Sequence, residues 1–126
     1  MKFSKKSLQN LKGVNPLLIA IFVDAIKTSD FDFGIPSTGG QRTVETQNEL
    51  YLKGVSNCDG IIKKSEHQSG NAIDIYGYHN GKATWDKMIL TSIAEHIIFT
   101  AKSRYNVDLI WGGNWKNFKD MPHFQL

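Results

Sequence analysis

Residues 65–74 read SEHQSGNAID, and residues 120–126, at the end of the 126-residue chain, read DMPHFQL. Together the two segments contain two histidines and two aspartates. A catalytic zinc ion commonly takes three nitrogen or oxygen ligands from the protein and keeps a fourth position for water. It also needs a nearby carboxylate that is not a ligand and that can carry a proton. The two segments therefore contain the residue types of a catalytic zinc site.

A strand pattern explains how the two segments could meet. Residues 72–76 alternate as a β-strand does, with two isoleucines on one face and Asp74 on the other. The last residues alternate in the same sense, with Phe124 facing a core and His123 on the opposite side. If these strands belong to one sheet, Asp74 and His123 lie together on a single face.

The other histidine and aspartate lie in loops. His67 precedes the first strand in a loop with Gly70, which tolerates backbone conformations that other residues find costly. That loop can therefore curl back towards the strand. Pro122 disfavours a helical conformation in the residue before it, so Asp120 and His123 do not share a helix. A turn there would place Asp120 near the metal without pointing it along the same strand face.

Three motifs resemble a known family. They are SxHxxGxAxD at 65–74, WGGxW at 111–115 and DxPHF at 120–124. In this order they resemble the zinc D,D-carboxypeptidases and L-alanyl-D-glutamate endopeptidases of the VanY-like group, which includes small phage endolysins and shares its fold with the hedgehog signalling domain. Because the N-terminal segments match in order too, the resemblance covers nearly the whole chain.

The resemblance implies a site. The zinc ligands would be His67, Asp74 and His123, with Asp120 as general base and acid. One position departs from the family pattern: Gln125 stands where the family often has glutamate. The departure weakens any role for a carboxylate there and leaves the implied ligand set intact.

The resemblance also implies residues that act on the substrate. Arg42, followed by Thr43 and Gln47, resembles the family's RTxxxQ segment, in which the arginine reaches the active site. A guanidinium can bind the scissile carbonyl or its oxyanion with paired donors, whereas the alternative is a surface salt bridge. Gln47 is taken with Arg42 as a substrate-binding candidate.

Ser65 and the tryptophans complete the candidate substrate contacts. Ser65 could donate a hydrogen bond to substrate or merely turn the chain. Of Trp111 and Trp115, we expect one in the core and one on the substrate wall, and Trp115 is the candidate for the wall.

Length and composition predict one domain, residues 1–126, with a modest core. The single cysteine, Cys58, allows no intrachain disulfide, which suits folding in a reducing cytoplasm. The net charge of +3 and the pI of about 9.0 are compatible with an anionic wall or with nucleic acid. Because the lysines are scattered, we expect no specific nucleic-acid binding, and we expect a monomer.

The N-terminus predicts neither a signal peptide nor a membrane span. The basic residues 1–6 are followed by no apolar run of the required length, since the longest one, 17–23, ends at Asp24. If the substrate is cell wall, the protein must stay in the host cytoplasm until other means release it to the wall. A phage lysis enzyme that waits for a membrane pore fits this combination.

Hydrophobic periodicity and capping residues predict an α+β domain. Its helices would pack on one face of a small, mainly antiparallel sheet and leave a zinc cleft on the other, as in the hedgehog/D,D-peptidase fold that the resemblance implies. The predicted helices are 5–11, 16–28, 44–53 and 84–104, the predicted strands are 31–35, 72–76 and 107–111, and a hairpin turn lies within 76–82.

The expected function is that of a zinc-dependent peptidoglycan peptidase acting on the stem peptide. The L-alanyl-D-glutamate bond is favoured because its cleavage detaches cross-linked peptides from the glycan, whereas trimming a terminal D-alanine leaves cross-links in place. The alternatives are a D-alanyl-D-alanine carboxypeptidase and a non-catalytic zinc domain that binds wall or protein. A third, a nucleic-acid or phage structural protein with a stabilising metal, predicts salt-dependent DNA binding.

Overall fold

Four α-helices and six short β-strands make up the fold, and the computed structural model describes all of residues 1–126. The helices are α1 (Lys5–Asn10), α2 (Pro16–Thr28), α3 (Val44–Leu52) and α4 (Lys87–Tyr105). The strands are β1 (Asp32–Gly34), β2 (Ala72–Asp74), β3 (Tyr76–His79), β4 (Lys82–Thr84), β5 (Ile110–Trp111) and β6 (His123–Gln125). A single 3₁₀ turn, Gly112–Asn114, follows β5.

Every α-helix begins at a side chain that accepts a hydrogen bond from a backbone N–H of its first turn. These capping residues are Ser4, Asn15, Thr43 and Asp86. The first three helices therefore start where the sequence predicts. The fourth starts at Lys87 and not at residue 84, because residues 82–84 pair as a strand and Asp86 supplies the cap.

The strands form two antiparallel three-stranded sheets, where the prediction described one sheet. Their strand orders are β1-β3-β4 and β2-β6-β5. The predicted strand 72–76 is interrupted at Ile75, which is buried and donates its N–H to the carbonyl of Pro122. The two halves of that stretch therefore belong to different sheets.

Turn chemistry confirms the predicted hairpin. Asn80 and Gly81, between β3 and β4, both have positive φ, 53° and 76°. Two such residues make the tight turn whose twist matches antiparallel strands. The predicted strand 107–111 is shorter than expected, although its alternation holds, with Leu109 and Trp111 buried and Ile110 exposed.

One hydrophobic cluster of 20 buried residues, running from Phe3 to Phe124, lies beneath β2 and β6. The ring of Phe124 on β6 meets that of Phe22 on α2 edge to face, with centroids 5.5 Å apart. Helices thus cover the apolar side of this sheet, while Asp74 and His123 project from the other side. The α+β class is confirmed. None of the helices combines the length and apolar character needed to cross a membrane.

Candidate active site

Strand pairing brings the first two candidate ligands together. In the antiparallel pairing of β2 with β6, Asp74 lies directly opposite His123, while Ile73 and Phe124 face the core. Directly opposed residues on one face have neighbouring side chains. Asp74 Oδ1 lies 3.0 Å from His123 Nδ1, as the alternation predicts.

A loop turned by Gly70 brings His67 to the same point. Gly70 has φ +80°, and a Cβ there would collide with the backbone of Gly13. His67 is buried, and its Nε2 lies 3.1 Å from Asp74 Oδ1 and 3.2 Å from His123 Nδ1. The predicted loop closure is therefore present.

Each histidine has its outer ring nitrogen beside a protein oxygen. His67 Nδ1 lies 2.9 Å from the carbonyl oxygen of Gly40, and His123 Nε2 lies 2.8 Å from Gln125 Oε1. If each outer nitrogen donates its N–H to that oxygen, the inner nitrogen keeps its lone pair for a metal. Gly40 has to be glycine, because a Cβ there would collide with the carbonyl of Asn10.

The donor set fits zinc. Two imidazole nitrogens and one carboxylate oxygen converge from His67, Asp74 and His123, at mutual distances of 3.0 to 3.2 Å. Ligands about 2.0–2.1 Å from a tetrahedral zinc ion lie roughly 3.3 Å apart. Small adjustments of these side chains would therefore complete three corners of a zinc site.

Electrostatics favour a charged Asp74. Burial opposes its charge, but hydrogen bonds from His123 and His67 outweigh burial and hold the pKa of Asp74 well below its usual range. Burial also opposes charge on His123, yet its hydrogen bond with Asp74 raises its pKa above the ordinary value. A negative Asp74 beside two imidazole nitrogens suits the binding of a cation.

The guanidinium of Arg42 lies behind Asp74. Its Nη2 donates to Asp74 Oδ2 at 2.9 Å, the oxygen that faces away from the histidines. Its Nε donates to the carbonyl of Thr38 at 2.7 Å, and its Nη1 donates to Gln47 Oε1 at 3.0 Å. Arg42 therefore orients the aspartate, and the alternative of an exposed surface salt bridge does not hold.

The structure corrects the placement of Gln47. Its side chain is fully buried and does not line the cleft, which does not fit the predicted role in substrate binding. Its Nε2 donates to Ser56 Oγ and to the carbonyl of Cys58, both at 2.8 Å, while its Oε1 accepts from Arg42. Gln47 joins α3, the 56–58 loop and the arginine instead of reaching substrate.

Asp120 lies beside the three convergent residues without joining them. Its backbone N–H donates to the carbonyl of Gly112 at 3.0 Å, and its side chain lines the cleft. Burial, followed by the negative charge of Asp74, raises the pKa of Asp120. A carboxylate that is near the ligands and holds a proton more readily than usual suits proton transfer.

Ser65 and Trp115 both line the cleft, whose volume is about 610 Å³. Ser65 Oγ accepts the N–H of His67 at 3.2 Å, so this residue turns the chain and still faces the cleft. The ring of Trp115 lies 5.2 Å from that of His123. Trp111 is buried and donates its indole N–H to the carbonyl of Met121, so it is the tryptophan of the core.

Sequence reasoning missed several contributors to the cleft. The carbonyls of Gly40 and Thr38 act through the backbone and leave no side-chain signal. Phe118 and Lys119 line the cleft beside Asp120, and their chain position next to that aspartate was the available signal. The two remaining histidines lie outside the cleft: His79 is exposed, and His96 bonds to Thr28 and to the carbonyl of Ala25.

Comparison with known proteins identifies the family. The model of the phage L-alanyl-D-glutamate peptidase family matches residues 1–124. The peptidoglycan L-alanyl-D-glutamate endopeptidase CwlK of Bacillus subtilis (strain 168) is 29% identical over 147 residues, covering 98% of this chain and 81% of CwlK. The L-alanyl-D-glutamate peptidase of Escherichia phage T5 is 31% identical over 117 residues, covering 90% of this chain and 81% of the phage protein.

Solved structures agree. The L-Ala D-Glu endopeptidase ChiX of Serratia marcescens superposes with a TM-score of 0.86 at 31% identity, covering all of this chain and 90% of ChiX. The zinc-bound D,D-pentapeptidase VanY shares the fold at a TM-score of 0.60 and 16% identity, covering 89% of this chain and 71% of VanY. The chain therefore belongs to the phage L-alanyl-D-glutamate peptidase family.

Proposed function

We propose that this chain is a zinc-dependent endopeptidase that hydrolyses the L-alanyl-D-glutamate bond in the stem peptide of peptidoglycan. The observation that carries the proposal is the convergence of His67, Asp74 and His123 beside Asp120 in an open cleft. Family membership supplies the substrate class, because the relatives at about 30% identity are described as peptidases of this bond.

Zinc would be held by His67 Nε2, Asp74 Oδ1 and His123 Nδ1, the three atoms that converge. When bound, zinc supplies a Lewis acid that polarises the peptide carbonyl and makes water acidic enough to attack it at neutral pH. The hydrogen bonds to Gly40 and Gln125 orient the two imidazoles for this role.

Asp120 is proposed as the general base and acid. It takes a proton from the attacking water and delivers it to the amine that leaves with the glutamate. Its absence from the group of convergent ligand atoms supports proton transfer over metal binding. Its raised pKa helps it to keep the proton until the amine departs.

Arg42 and Gln47 are proposed to position the site. Arg42 holds the outer oxygen of Asp74, and Gln47 holds Arg42 from the buried side. Because a guanidinium carries five N–H donors and Arg42 uses three of them in these contacts, donors remain where it lines the cleft. Those donors are the candidates for stabilising negative charge on the reacting carbonyl oxygen.

Substrate contacts are assigned to Ser65 and Trp115. The hydroxyl of Ser65 faces the cleft and can donate to a carbonyl of the peptide while it accepts the N–H of His67. The indole of Trp115 beside His123 offers an apolar wall for a small side chain such as that of alanine.

The choice of bond rests on the family. The family and both relatives are L-alanyl-D-glutamate peptidases, which favours an endopeptidase over a D-alanyl-D-alanine carboxypeptidase. The presence of Asp120 beside three ligands favours catalysis over a zinc domain that only binds wall or protein.

Residues 1–126 are proposed to form one peptidase domain, which the single hydrophobic cluster supports, and to act as a monomer. We also propose a lysis role in which the protein reaches the wall from the host cytoplasm after the membrane is breached. The phage origin of the T5 relative supports a phage context for this role.

Digestion of a defined muropeptide tests the proposal. We expect zinc-dependent release of a peptide with a free N-terminal D-glutamate, identified by mass and by labelling of the new amine. Release of free D-alanine with the rest of the stem intact would instead establish the carboxypeptidase.

A further inference from the structure

We propose that Lys119 is a specificity residue that binds the free carboxylate of the glutamate on the leaving side of the cut bond. The inference rests on the proposed endopeptidase function and adds to it a preference between two forms of the same substrate.

Substrate chemistry supplies the first step. A glutamate whose amine is acylated by alanine carries two carboxyl groups, and the peptide continues through only one of them. The other stays as a negatively charged carboxylate or is converted to a neutral derivative such as an amide. This group belongs to the residue whose amine Asp120 protonates. A cation beside Asp120 is therefore close enough to bind this carboxylate and to distinguish it from a neutral amide.

Lys119 meets this requirement. It directly precedes Asp120, and both residues line the cleft. Its side chain is exposed and forms no salt bridge with any carboxylate of the chain. An unpaired ammonium at the rim can bind an incoming anion without first breaking a bond inside the protein.

The loop that carries Lys119 is anchored at its two ends. The carbonyl of Gly112 accepts the N–H of Trp115 at 3.2 Å and that of Asp120 at 3.0 Å. Residues 116–119, between these anchors, make no backbone hydrogen bond. The anchors thus hold the base of the loop beside the cleft, while the backbone N–H and C=O groups at its tip have no backbone partner.

Phe118 gives an independent sign that this tip has a function. It has φ +53°, a left-handed conformation that is unfavourable for an aromatic residue. Its ring is 77% exposed and lines the cleft, so no burial of the ring offsets the strain. Strained residues of this kind concentrate at binding sites. Here the strain displays Phe118 and Lys119 together on the rim next to Asp120.

The other cations of the cleft fit the role less well. Arg42 is already bound to Asp74 and Gln47. Lys64 also lines the cleft and, like Lys119, forms no salt bridge, but it is not a chain neighbour of the proposed proton donor. Lys119 is the cleft cation that has no paired anion and is adjacent in the chain to the proposed proton donor.

The test compares two peptides that differ only in this group. Both contain the L-alanyl-D-glutamate bond and continue through the γ-carboxyl, and the α-carboxyl is free in one and amidated in the other. We expect the unmodified enzyme to cut the free acid with a kcat/KM about tenfold higher, as one charge-assisted contact at a partly exposed site allows. The preference should shrink at high salt, because the lysine is exposed.

The Lys119→Gln variant should lose most of this preference by cutting the free acid more slowly, while its rate on the amide stays close to that of the unmodified enzyme. Lys119→Arg should retain the preference. Lys116→Gln is the matched control, since Lys116 lies in the same loop, is exposed and does not line the cleft. It should leave both rates unchanged.

Two results would overturn the assignment. One is a preference that survives in Lys119→Gln, and the other is a preference abolished by Lys64→Gln in its place. Mass analysis of the products separates this inference from the proposed function. Cleavage of both peptides at the alanyl-glutamate bond supports the function whatever the preference, whereas cleavage elsewhere would contradict the function and the inference together.

Discussion

The two histidines of the site are expected to bind the metal through different ring nitrogens. His67 directs Nε2 inwards because its Nδ1 lies beside the carbonyl of Gly40. His123 directs Nδ1 inwards because its Nε2 lies beside Gln125. The role of Gln125 therefore does not require a carboxylate, because its amide oxygen can accept the N–H of the imidazole. Glutamate at this position would accept the same bond with a negative charge and make the ligand more basic.

Replacing His123 with alanine should remove one of three ligands. We expect the purified His123→Ala protein to hold well below one zinc per chain and to lose activity, because two ligands bind zinc much more weakly than three. Metal analysis by mass spectrometry after dialysis measures the loss. His79→Ala is the control, as this histidine is exposed and lies outside the cleft. Full zinc occupancy in His123→Ala would show that the ligand set is wrong.

Replacing Asp120 with asparagine should separate chemistry from metal binding. The change keeps the size of the side chain and removes its ability to exchange a proton, so turnover should fall by about 10²-fold or more. Zinc content and the unfolding temperature should stay near those of the unmodified protein, since Asp120 is not among the convergent ligand atoms. Loss of zinc from the variant would make Asp120 a ligand, and near-normal turnover would exclude it from the reaction.

At the scale of elements, the site joins segments that are far apart in the chain. Asp74 and His123 come from paired strands, His67 comes from a loop, and Arg42 precedes α3. Gln47, within α3, connects the helix to the 56–58 loop and to the arginine through three hydrogen bonds. A substitution of this buried residue should therefore change the affinity for the metal, although Gln47 does not face the cleft.

The Gln47→Leu variant tests that connection. Leucine fills similar space but leaves the partners of Gln47 unsatisfied, which should lower the free energy of unfolding by about 1–3 kcal/mol. It should also weaken zinc binding by freeing Arg42 from one of its anchors. Gln9→Leu on the exposed side of α1 is the matched control and should change neither quantity. Denaturant unfolding and zinc titration measure the two effects, and an unchanged zinc affinity would limit Gln47 to a structural part.

The sequence predicted elements whose signals are local. Caps such as Asn15 and turns such as Asn80-Gly81 act within a few residues, so the sequence predicted the starts of the first three helices and the hairpin. The alternation around Asp74 and His123 likewise predicted their meeting. The division into two sheets was not predictable in this way. It depends on the bond from Ile75 to the carbonyl of Pro122, which joins residues distant in sequence.

The site residues divide along the same line. The family resemblance implied His67, Asp74, His123 and Asp120, because each belongs to a short motif of distinctive residues. The burial of Gln47 was not predicted. A glutamine in a helix is usually expected to face solvent, and the loop carbonyl that binds its amide cannot be identified from the sequence. The resemblance identified Gln47 as a site residue. Only the three-dimensional packing showed that it supports Arg42 and does not face the cleft.

In the whole molecule, the hydrophobic core and the proposed metal site are on opposite sides of the β2-β6-β5 sheet. The 20-residue cluster contains neither histidine of the site, and most of its largest side chains come from α2, α4 and the inner faces of the strands. The fold should therefore form without metal. The metal would add stability by joining the His67 loop to β2 and β6.

Removing zinc should lower stability without unfolding the chain at room temperature. A ligand that binds only the folded state at a free concentration a thousandfold above its Kd stabilises that state by about 4 kcal/mol. In a domain of this size the loss corresponds to a fall in Tm on the order of 10 °C. We expect a chelator to produce this fall with little change in far-ultraviolet circular dichroism at 25 °C, and added zinc to reverse it. The chelator should have no effect on the Tm of His123→Ala, which already lacks a ligand.

An unfolded metal-free chain would contradict the separation of core and site, because it would mean that the 20-residue cluster cannot hold β2 and β6 together unaided. An unchanged Tm in the unmodified protein would instead mean that no stabilising metal occupies the position between the two histidines and Asp74.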